Sequence, residues 1–522
     1  MLTIENKRIL LQEELDSKKT PYERNILGQF GTPTFLAQEI LAHSKKLLSD
    51  RKKIKFFDPA IGTGSFYSAL LANFPKDRIQ RAEGYEIDHH YGNPSIEFWK
   101  GFDLKIKLSD FTLDSPNKEN LSNLLICNPP YVRHHHLNSK TKEQLRSLCR
   151  KVTDIDLNGL TGLYGYFLLI SHMWMEEEGI AGWLIPSEFM DVNYGNKIKQ
   201  YLLDKVKLIH IHRFDPDEVQ FNDALVSSTV VWLKKIKPPK LYEVEFSFGG
   251  TLTHPKFSKN ISTKILRKES KWTRFPMLEE RQFSEEPKLS DFFSIKRGIA
   301  TGDNNFFILK REQIEKLNLP IQYFRPVLPS PRYLKVDIIE SDQKGNPLIT
   351  PHLFLLNCKL PENEIKENHP TLWKYIEKGI ELGISEKYLC KHRSIWYSQE
   401  NRDSTPFICT YMGRKKNKNG NNKPFRFILN HSKATATNVY LMLYPTKLLN
   451  IALSNNPGLS ELIWTSLNNI SLDILLEEGR VYGGGLHKLE PKELAKVPAS
   501  TIMNFVPKEI KPDRKYRQLS LF

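Results

Sequence analysis

The stretch IKFFDPAIGTGSF, residues 54–66, carries the clearest fold signal in the chain. Its mainly apolar start predicts a short buried strand, and a helical pattern over residues 65–73 follows at once. Between them, Gly62 and Gly64 let the backbone approach a ligand closely at the mouth of that helix. Tyr67 stands where a dinucleotide-binding fingerprint needs a small residue. The stretch therefore predicts a strand–loop–helix unit that binds a ligand other than a dinucleotide.

Acidic residues stand at the ends of successive predicted strands. Asp58 ends the first strand, Glu86 lies within GYEID at residues 84–88, and Asp110 precedes Phe111 near the next strand end. The first acid is well placed to accept from an ammonium group, and an acid at the tip of the second strand typically binds ribose hydroxyls. The pair of Asp110 and Phe111 suits an adenine ring. Together these side chains describe S-adenosylmethionine better than a dinucleotide.

A third segment, LLICNPPY at residues 124–131, joins an apolar strand to a rigid turn. The strand must end there, because proline cannot donate a hydrogen bond to the sheet. The Asn128 side chain and the carbonyls of Asn128 and Pro129 then lie at the carboxyl edge, where open α/β sheets bind ligands. Such acceptors beside the Tyr131 ring can receive a planar group that carries an exocyclic NH2. A plain strand-ending turn is the alternative interpretation.

Short apolar runs alternate with helical segments between residues 54 and 235. The runs lie just before residue 84 and at 54–57, 124–127, 180–185, 206–211 and 226–233, and the helices at 65–73, 166–178 and 194–204. This alternation predicts an α/β fold with a doubly wound, mostly parallel sheet. Residues 1–28 have the pattern of one polar helix. The basic, proline-containing stretch at 234–240 predicts a linker, so we expect one domain over residues 1–240 and an α+β domain over residues 241–522.

The composition is that of an ordinary globular protein of two or three domains, with 522 residues, 40% hydrophobic and 26% charged. No apolar run approaches the roughly 18 residues of a membrane span, and no signal-peptide core follows the first methionine. The five cysteines are widely spread and contain no CxxC pair, which predicts neither a disulfide framework nor a zinc site. We therefore expect a cytoplasmic protein.

The net charge of +16 indicates a polyanionic partner, with a generally basic protein as the alternative. Residues 414–433 hold seven Lys or Arg and no Asp or Glu. This basic, asparagine-rich segment suits contacts to phosphates. The candidates for contacts to bases or phosphates are Arg414, Lys415, Lys416, Arg426, Asn430 and residues 480–488.

The series of motifs, in this order, resembles the gamma-class DNA N6-adenine methyltransferases of type II restriction–modification systems, of the Eco57I and TaqI kind. FGTP at residues 30–33 is similar to the motif that contacts the methionine part of the cofactor. YGYF at 164–167 and GWLIP at 182–186 resemble later scaffold motifs. GIATG at 298–302 and GGGL at 483–486 resemble segments of the TaqI-like specificity domain more loosely.

This resemblance implies methyl transfer from S-adenosylmethionine to N6 of an adenine flipped out of duplex DNA. It implies a catalytic set made of Asn128, Pro129, Tyr131 and Phe221. It implies cofactor contacts from Thr32, Asp58, Ala60, Gly62, Gly64, Glu86, Asp110 and Phe111. Double-stranded DNA is the expected partner and a monomer the expected form. A separate cognate restriction endonuclease, from which methylation would protect host DNA, is suggested by the family alone.

Three histidines, His134, His135 and His136, follow the NPPY motif. Adjacent histidines do not easily converge on one ion, and no Cys or acid is spaced to complete a zinc site. We expect no metal here and assign them, with Arg133, to a loop that faces DNA. A protein glutamine methyltransferase, an RNA methyltransferase and a non-catalytic DNA-specificity subunit remain alternatives. The large basic carboxyl-terminal half counts against the first two, and the intact motifs count against the third.

Overall fold

The computed structural model describes residues 3–49, 52–215, 227–277, 286–414, 424–482 and 486–505. The chain divides into two compact units. The first is Met1–Arg281 with Tyr482–Gly484, and the second is Gln282–Val481 with Gly485–Phe522. The first unit therefore extends beyond the boundary predicted at residue 240.

The first unit contains nine described strands and nine described α-helices. The strands are β1 (Ile54–Asp58), β2 (Ile79–Glu86), β3 (Lys105–Leu108), β4 (Ser122–Cys127), β5 (Met175–Pro186), β6 (Lys207–Arg213), β7 (Ser228–Lys234), β8 (Glu243–Gly250) and β9 (Pro255–Ser262). The helices are α1 (Ile4–Ser17), α2 (Pro21–Leu27), α3 (Thr34–Leu47), α4 (Ser65–Asn73), α5 (His89–Phe98), α6 (Ser139–Thr153), α7 (Leu163–Ile170), α8 (Gly195–Asp204) and α9 (Thr263–Lys268).

These strands form one sheet in the order β3-β2-β1-β4-β5-β7-β6-β8-β9. The pairs from β3 to β5 are all parallel, whereas β7 runs antiparallel to both of its neighbours. The chain winds from β1 to β2 on one side and reaches β4 on the other, so the strand order reverses beside β1. The predicted α/β class with a doubly wound, mostly parallel sheet is confirmed.

Both faces of the sheet are buried, which explains its nearly continuous apolar strands. On β1, Phe56 packs into a core with α3 and α4, while Phe57 packs into the opposite core with α7 and α8. On β4, Leu124 and Ile126 share the first core, and Leu125 lies in the second. This alternation sets the strand register, because a shift by one residue would exchange the two cores.

The predicted linker at 234–240 is a connection within the sheet. After it, β8 pairs in parallel with β6, with His210 opposite Glu245, and β9 then pairs with β8. Backbone pairing with a distant strand leaves little trace in a basic, proline-containing sequence. That is why the boundary predicted at 240/241 falls too early.

Two helix predictions also differ from the structure. Residues 1–28 form α1 and α2 instead of one helix, because Thr20 starts a new helix through a capping box with Glu23. The helix predicted over 166–178 ends at Ile170, and β5 already begins at Met175. Met175 pairs with Ser122 of β4 at that point, so a tertiary contact overrides the local helical pattern.

The second unit mixes short strands with helices, as expected for an α+β domain. Its strands are β10 (Phe293–Arg297), β11 (Ile308–Lys310), β12 (Phe324–Pro326), β13 (Ile338–Ile339), β14 (Leu353–Leu356), β15 (Phe407–Thr410), β16 (Met412–Arg414), β17 (Phe427–Asn430), β18 (Tyr440–Pro445), β19 (Arg480–Tyr482) and β20 (Leu486–Lys488). Its helices are α10 (Leu289–Phe292), α11 (Asn304–Phe307), α12 (Arg311–Lys316), α13 (Glu362–Asn368), α14 (Pro370–Glu381), α15 (Tyr388–Lys391), α16 (Lys447–Asn455), α17 (Leu459–Asn468), α18 (Leu472–Glu478) and α19 (Pro491–Leu494).

The main sheet of this second unit has five strands in the order β10-β18-β15-β17-β13. Separate clusters of buried side chains pack around this sheet and around the three-stranded sheet β11-β14-β12. All five cysteines of the chain are buried and free of disulfides. Across the described ranges, no helix combines the length and the apolar character that crossing a membrane requires.

Candidate active site

The carboxyl edge of the sheet beside β1 brings together three of the predicted site residues, Asp58, Glu86 and Asn128. β1 and β4 are parallel neighbours, with Phe57 opposite Leu125, so Asp58 and Asn128 leave the sheet on the same side. β2 lies on the other side of β1, with Asp58 opposite Gly84, and it ends at Glu86. Ligands bind at such a point of reversal in open α/β sheets.

The loop between β1 and α4 is held tightly against β2. The Ile61 N–H donates to the Tyr85 carbonyl at 2.9 Å, and the Gly62 N–H donates to Glu86 Oε2 at 3.0 Å. Gly64 has a φ of +84°, and a Cβ there would lie 2.5 Å from Nε1 of Trp99. Only glycine fits this backbone beside that indole, while the close approach of the loop to a ligand stays a prediction.

Asp58 is a buried carboxyl, only 1% exposed. Burial raises its pKa to about 8, although the Ala60 N–H donates to Oδ1 at 3.1 Å and the Cys127 thiol is a further partner. Within the described part of the chain, no lysine or arginine balances this carboxyl. Burying a carboxylate without a counter-charge is costly. The position therefore suits a ligand that brings an ammonium group, as the sequence predicts.

Glu86 is half-buried at the tip of β2. Burial raises the pKa of its carboxyl, while the backbone N–H groups of Asp88 and Gly62 donate to its two oxygens. These bonds fix the carboxylate plane at the sheet edge. A fixed carboxylate with remaining acceptor capacity is suited to a pair of ribose hydroxyls.

Asp110 and Phe111 occupy different environments. Asp110 starts the short 3-10 helix Phe111–Leu113, and its Oδ1 accepts from the N–H and the hydroxyl of Thr112, both at 2.8 Å. Phe111 is only 2% exposed, and its ring packs against Phe167 at a centroid distance of 5.0 Å. Its expected contact with an adenine stays a prediction, since the ring is largely enclosed in the core.

The Asn128 amide has a defined orientation. Its Nδ2 donates to the Phe30 carbonyl and to Thr32 Oγ1, each at 3.1 Å. Its Oδ1 is buried and has no hydrogen-bond partner among the residues that the structure describes. A buried acceptor without a partner costs about 1–3 kcal/mol, so a ligand that donates a hydrogen bond to Oδ1 would offset that cost. The structure thus joins Asn128 to Thr32 of the FGTP segment.

Tyr131 is anchored at both ends. Its hydroxyl donates to the Leu184 carbonyl on β5 at 3.1 Å, and its backbone N–H donates to the Gly28 carbonyl at 3.2 Å. Burial raises the pKa of its hydroxyl, so the side chain stays neutral. The ring lies 6.0 Å from that of Phe30. Pro129 is buried beside it, and Phe221 lies outside the described residues.

The histidines after the motif form a short 3-10 helix, His134–His136, with the His135 and His136 rings 4.2 Å apart. Their residues are exposed or half-buried. Over the described ranges, no group of three or more His, Cys, Asp or Glu side chains is placed to hold a metal ion.

Several candidates for nucleic-acid contacts in the second unit are engaged within the protein instead. Arg426 donates to both the Asp337 carboxylate and the carbonyls of Leu334 and Val336. Asn430 is 4% exposed, and its Nδ2 donates to the Thr405 and Ala434 carbonyls. These bonds tie both side chains to neighbouring segments of the second unit. Lys415 and Lys416 lie outside the described residues.

The sequence missed the role of the amino-terminal helix α1. Arg8 is buried at 2% exposure and donates to the Thr63 hydroxyl in the loop between β1 and α4. Gln12 accepts a hydrogen bond from the same hydroxyl at 2.6 Å. Nothing in the polar pattern of residues 1–28 marks these two side chains, because their partners lie more than fifty residues away in sequence.

Two family models match most of this chain. One, described as Eco57I restriction-modification methylase, matches residues 46–221. The other, described as Type II methyltransferase M.Eco57I, C-terminal domain, matches residues 270–519. The two matches follow each other along the chain and fall largely on its two structural units.

Two type II methyltransferases are similar over almost the whole chain. M.AccI of Acinetobacter calcoaceticus is 28% identical over 492 residues, which are 91% of this chain and 85% of the relative. M.XamI of Xanthomonas campestris pv. amaranthicola is 25% identical over 457 residues, covering 86% and 81%. The cryo-electron-microscopy structure of the DrdV–DNA complex shares the fold, with a TM-score of 0.54 and 14% identity over 96% of this chain and 58% of that one. The chain belongs to the Eco57I-type methyltransferases of type II restriction–modification systems, whose methyl donor is S-adenosylmethionine.

Proposed function

We propose that this chain is a site-specific DNA methyltransferase that methylates N6 of an adenine flipped out of duplex DNA. The first unit would carry catalysis, and the second would recognise the target sequence. The net charge of +16 supports a polyanionic substrate. Methylation at such a site would protect host DNA from a separate cognate endonuclease.

The observation that carries this proposal is the orientation of Asn128. Its Nδ2 is committed to Phe30 and Thr32, which leaves Oδ1 as a buried acceptor without a partner among the described residues. A planar amine that enters beside Tyr131 would satisfy that acceptor. The alternative of a plain strand-ending turn gives no reason to bury an amide oxygen unpaired.

Methyl transfer to this amino nitrogen depends more on hydrogen-bond acceptors than on a general base. The lone pair of the adenine amino group is delocalised into the ring, so the nitrogen is a weak nucleophile. Asn128 Oδ1 and the Pro129 carbonyl would accept hydrogen bonds from its two N–H groups and stabilise the positive charge that develops on nitrogen. The bound cofactor supplies a methyl group on a sulfonium. Methyl transfer would leave the nitrogen positively charged, and it would lose a proton to water while Asn128 Oδ1 and the Pro129 carbonyl hold the amine.

Tyr131 would stack on the extruded base, with Phe221 expected on the other face. The Leu184 carbonyl anchors the Tyr131 hydroxyl, so the ring does not have to be ordered when the base arrives. Stacking on an aromatic ring is worth about 1–3 kcal/mol per base, which is comparable to the cost of unstacking it from the duplex.

The direct test is to incubate the purified protein with methyl-labelled S-adenosylmethionine and plasmid DNA, and to digest the product to nucleosides. We expect the label in N6-methyladenine. Label in cytosine would overturn the assignment to adenine, and label found only in RNA or only in protein would favour an RNA or a glutamine methyltransferase. Cofactor binding without any transfer would favour a non-catalytic specificity subunit.

Cofactor affinity should depend on pH through Asp58. In the free protein burial raises the pKa of Asp58 to about 8, so most of the carboxyl is protonated at neutral pH. An ammonium ligand needs the ionised form, and binding therefore releases a proton. We expect the cofactor Kd to fall as pH rises from about 6 to 8, by up to about tenfold per pH unit.

Isothermal titration calorimetry in buffers of different ionisation enthalpy would measure both the Kd and the released proton. Asp58→Asn is the matched control, because it keeps the shape of the side chain and cannot ionise. It should bind more weakly, with a Kd that is nearly constant over this range. A wild-type Kd that is independent of pH would contradict the proposed role of Asp58.

A further inference from the structure

Helix α1 places two side chains on a single hydroxyl of the loop between β1 and α4. Thr63 is 1% exposed and lies between the two glycines of that loop. Its Oγ1 accepts from Arg8 Nη1 at 2.9 Å and donates to Gln12 Oε1 at 2.6 Å. Both hydrogen-bonding functions of this hydroxyl are thus used by one helix, far away in sequence.

Gln12 also lies beside the FGTP segment and is linked through Asp16 to α5. A Cβ on Gly31, next to Thr32, would lie 3.2 Å from the Gln12 amide carbon. Gln12 Nε2 donates to Asp16 at 2.9 Å, and Asp16 accepts from the Tyr91 hydroxyl at 2.8 Å. Tyr91 is in α5, the helix that follows Glu86. One glutamine therefore links the glycine loop, the FGTP segment and the helix behind Glu86.

Arg8 is held in place by Glu5, whose carboxylate forms an ion pair with it at 2.6 Å and accepts from Thr34 Oγ1. Thr34 follows the FGTP segment directly and begins α3. Placing a guanidinium at 2% exposure is costly unless its bonds are satisfied. The Arg8–Glu5 pair thus holds α1 against both the loop, through Thr63, and the start of α3, through Thr34.

We propose that Gln12 and Arg8 are positioning residues for the cofactor, acting through Thr63. They hold the loop so that the Gly62 N–H stays on Glu86 and Asp58 stays covered. A loop with φ of +54° at Gly62 and +84° at Gly64 samples many conformations when it is not held. Without the two side chains, the cofactor would have to order the loop when it binds, and the conformational entropy lost would weaken its binding.

The inference rests on the proposed placement of the cofactor at this loop, and it makes a specific kinetic prediction. Gln12→Ala and Thr63→Val should each weaken S-adenosylmethionine binding by about three- to tenfold, the range of one hydrogen bond. The KM for the cofactor should rise in step, while kcat at saturating cofactor and the KM for DNA stay close to wild type. Thr63→Ser keeps the hydroxyl and should bind as the wild type does.

Gln38 provides a matched control. It is also a half-buried glutamine, it lies in α3, and its Oε1 accepts a side-chain hydrogen bond from Asn73, the last residue of α4, at 2.7 Å. Gln38→Ala should leave the cofactor Kd unchanged. The Gln12→Ala/Thr63→Val double variant should lose less affinity than the product of the two single losses, since both single variants remove the Gln12–Thr63 bond while each also removes one bond of its own, to Asp16 or to Arg8.

Calorimetry with S-adenosylmethionine alone and steady-state kinetics with DNA decide the outcome. Unchanged affinity in both single variants, or an equal loss in Gln38→Ala, would overturn the inference. A fall in kcat without a change in cofactor KM would overturn it as well. The Asp58→Asn variant distinguishes a failure of the proposed cofactor site from a failure of the positioning role. If it binds the cofactor normally, the placement of the site itself fails; if only it loses binding, the positioning role alone fails.

Discussion

Replacing Asn128 with alanine is expected to slow methyl transfer by about 10²–10³-fold, the usual cost of removing one acceptor or donor aimed at developing charge. The variant loses Oδ1, the acceptor that has no partner among the described residues. It also loses two donated bonds to Phe30 and Thr32, so a modest rise in the cofactor KM should accompany the loss. Single-turnover transfer from labelled cofactor to adenine measures the chemical step directly.

Asn128→Asp and Thr32→Val separate these two contributions. The aspartate keeps an acceptor but loses the donors, and it faces the Phe30 carbonyl. We expect an intermediate rate. Thr32→Val keeps Oδ1 and removes one partner of Nδ2, so it should affect the rate less than Asn128→Ala does.

Asn123 is the matched control at the other end of the same strand. It is also buried, and it bonds the backbone of Lys53 and Lys55. Asn123→Ala should lower the melting temperature while leaving transfer by the folded protein nearly intact. A normal rate in Asn128→Ala would refute the acceptor mechanism.

Gly28→Ala should inactivate the enzyme, because the added methyl group would displace the neighbouring NPPY segment. Gly28 ends α2 with a φ of +63°, and a Cβ there would lie 2.3 Å from the Tyr131 backbone nitrogen. Backbone cannot yield as a flexible side chain does, so the NPPY segment must move. A displacement of about 1 Å in a positioned group can cost about 10²-fold in rate. We expect at least this loss in methyl transfer.

Gly383 offers a control with the same backbone strain and no close neighbour. It follows α14 with a φ of +69°, and its added Cβ would meet nothing within 4 Å. Both alanine variants should lose about 1–2 kcal/mol of unfolding free energy from the left-handed conformation. Only Gly28→Ala should lose the activity of the folded protein as well. Equal activities in the two variants would show that the approach to Tyr131 is unimportant.

Much of the first unit could be predicted from local pattern. Residues 65–73 form α4 with the predicted bounds, and the apolar runs at 54–57 and 124–127 lie in β1 and β4. These segments are buried on both faces, so their apolar character is continuous and easy to recognise. The boundary at 240 and the helix over 166–178 were wrong, since strand pairing over long sequence distances decides both.

The second unit was less predictable at the level of single residues. Arg426 and Asn430 have the side chains of base readers, yet the structure uses them to hold the backbone of Leu334 and Ala434. A residue type offers donors and acceptors but does not choose between an internal carbonyl and a base edge. That choice depends on which segments pack nearby.

The sequence by itself determined which chemical groups the site contains and in which order they follow each other along the chain. Asp58 and Glu86 end strands, and Asn128 directly follows one. Strand ends can be recognised in a sequence because the hydrophobic pattern and the prolines and glycines that interrupt it are local. Only the tertiary structure decided how these groups are aimed. Phe30 and Thr32, almost a hundred residues earlier, occupy the donor of Asn128, which leaves its acceptor without a partner among the described residues. Thr63 is held by a helix that begins at residue 4. Hydrogen-bond direction is set by partners in space, and those partners are brought together by the winding of the sheet.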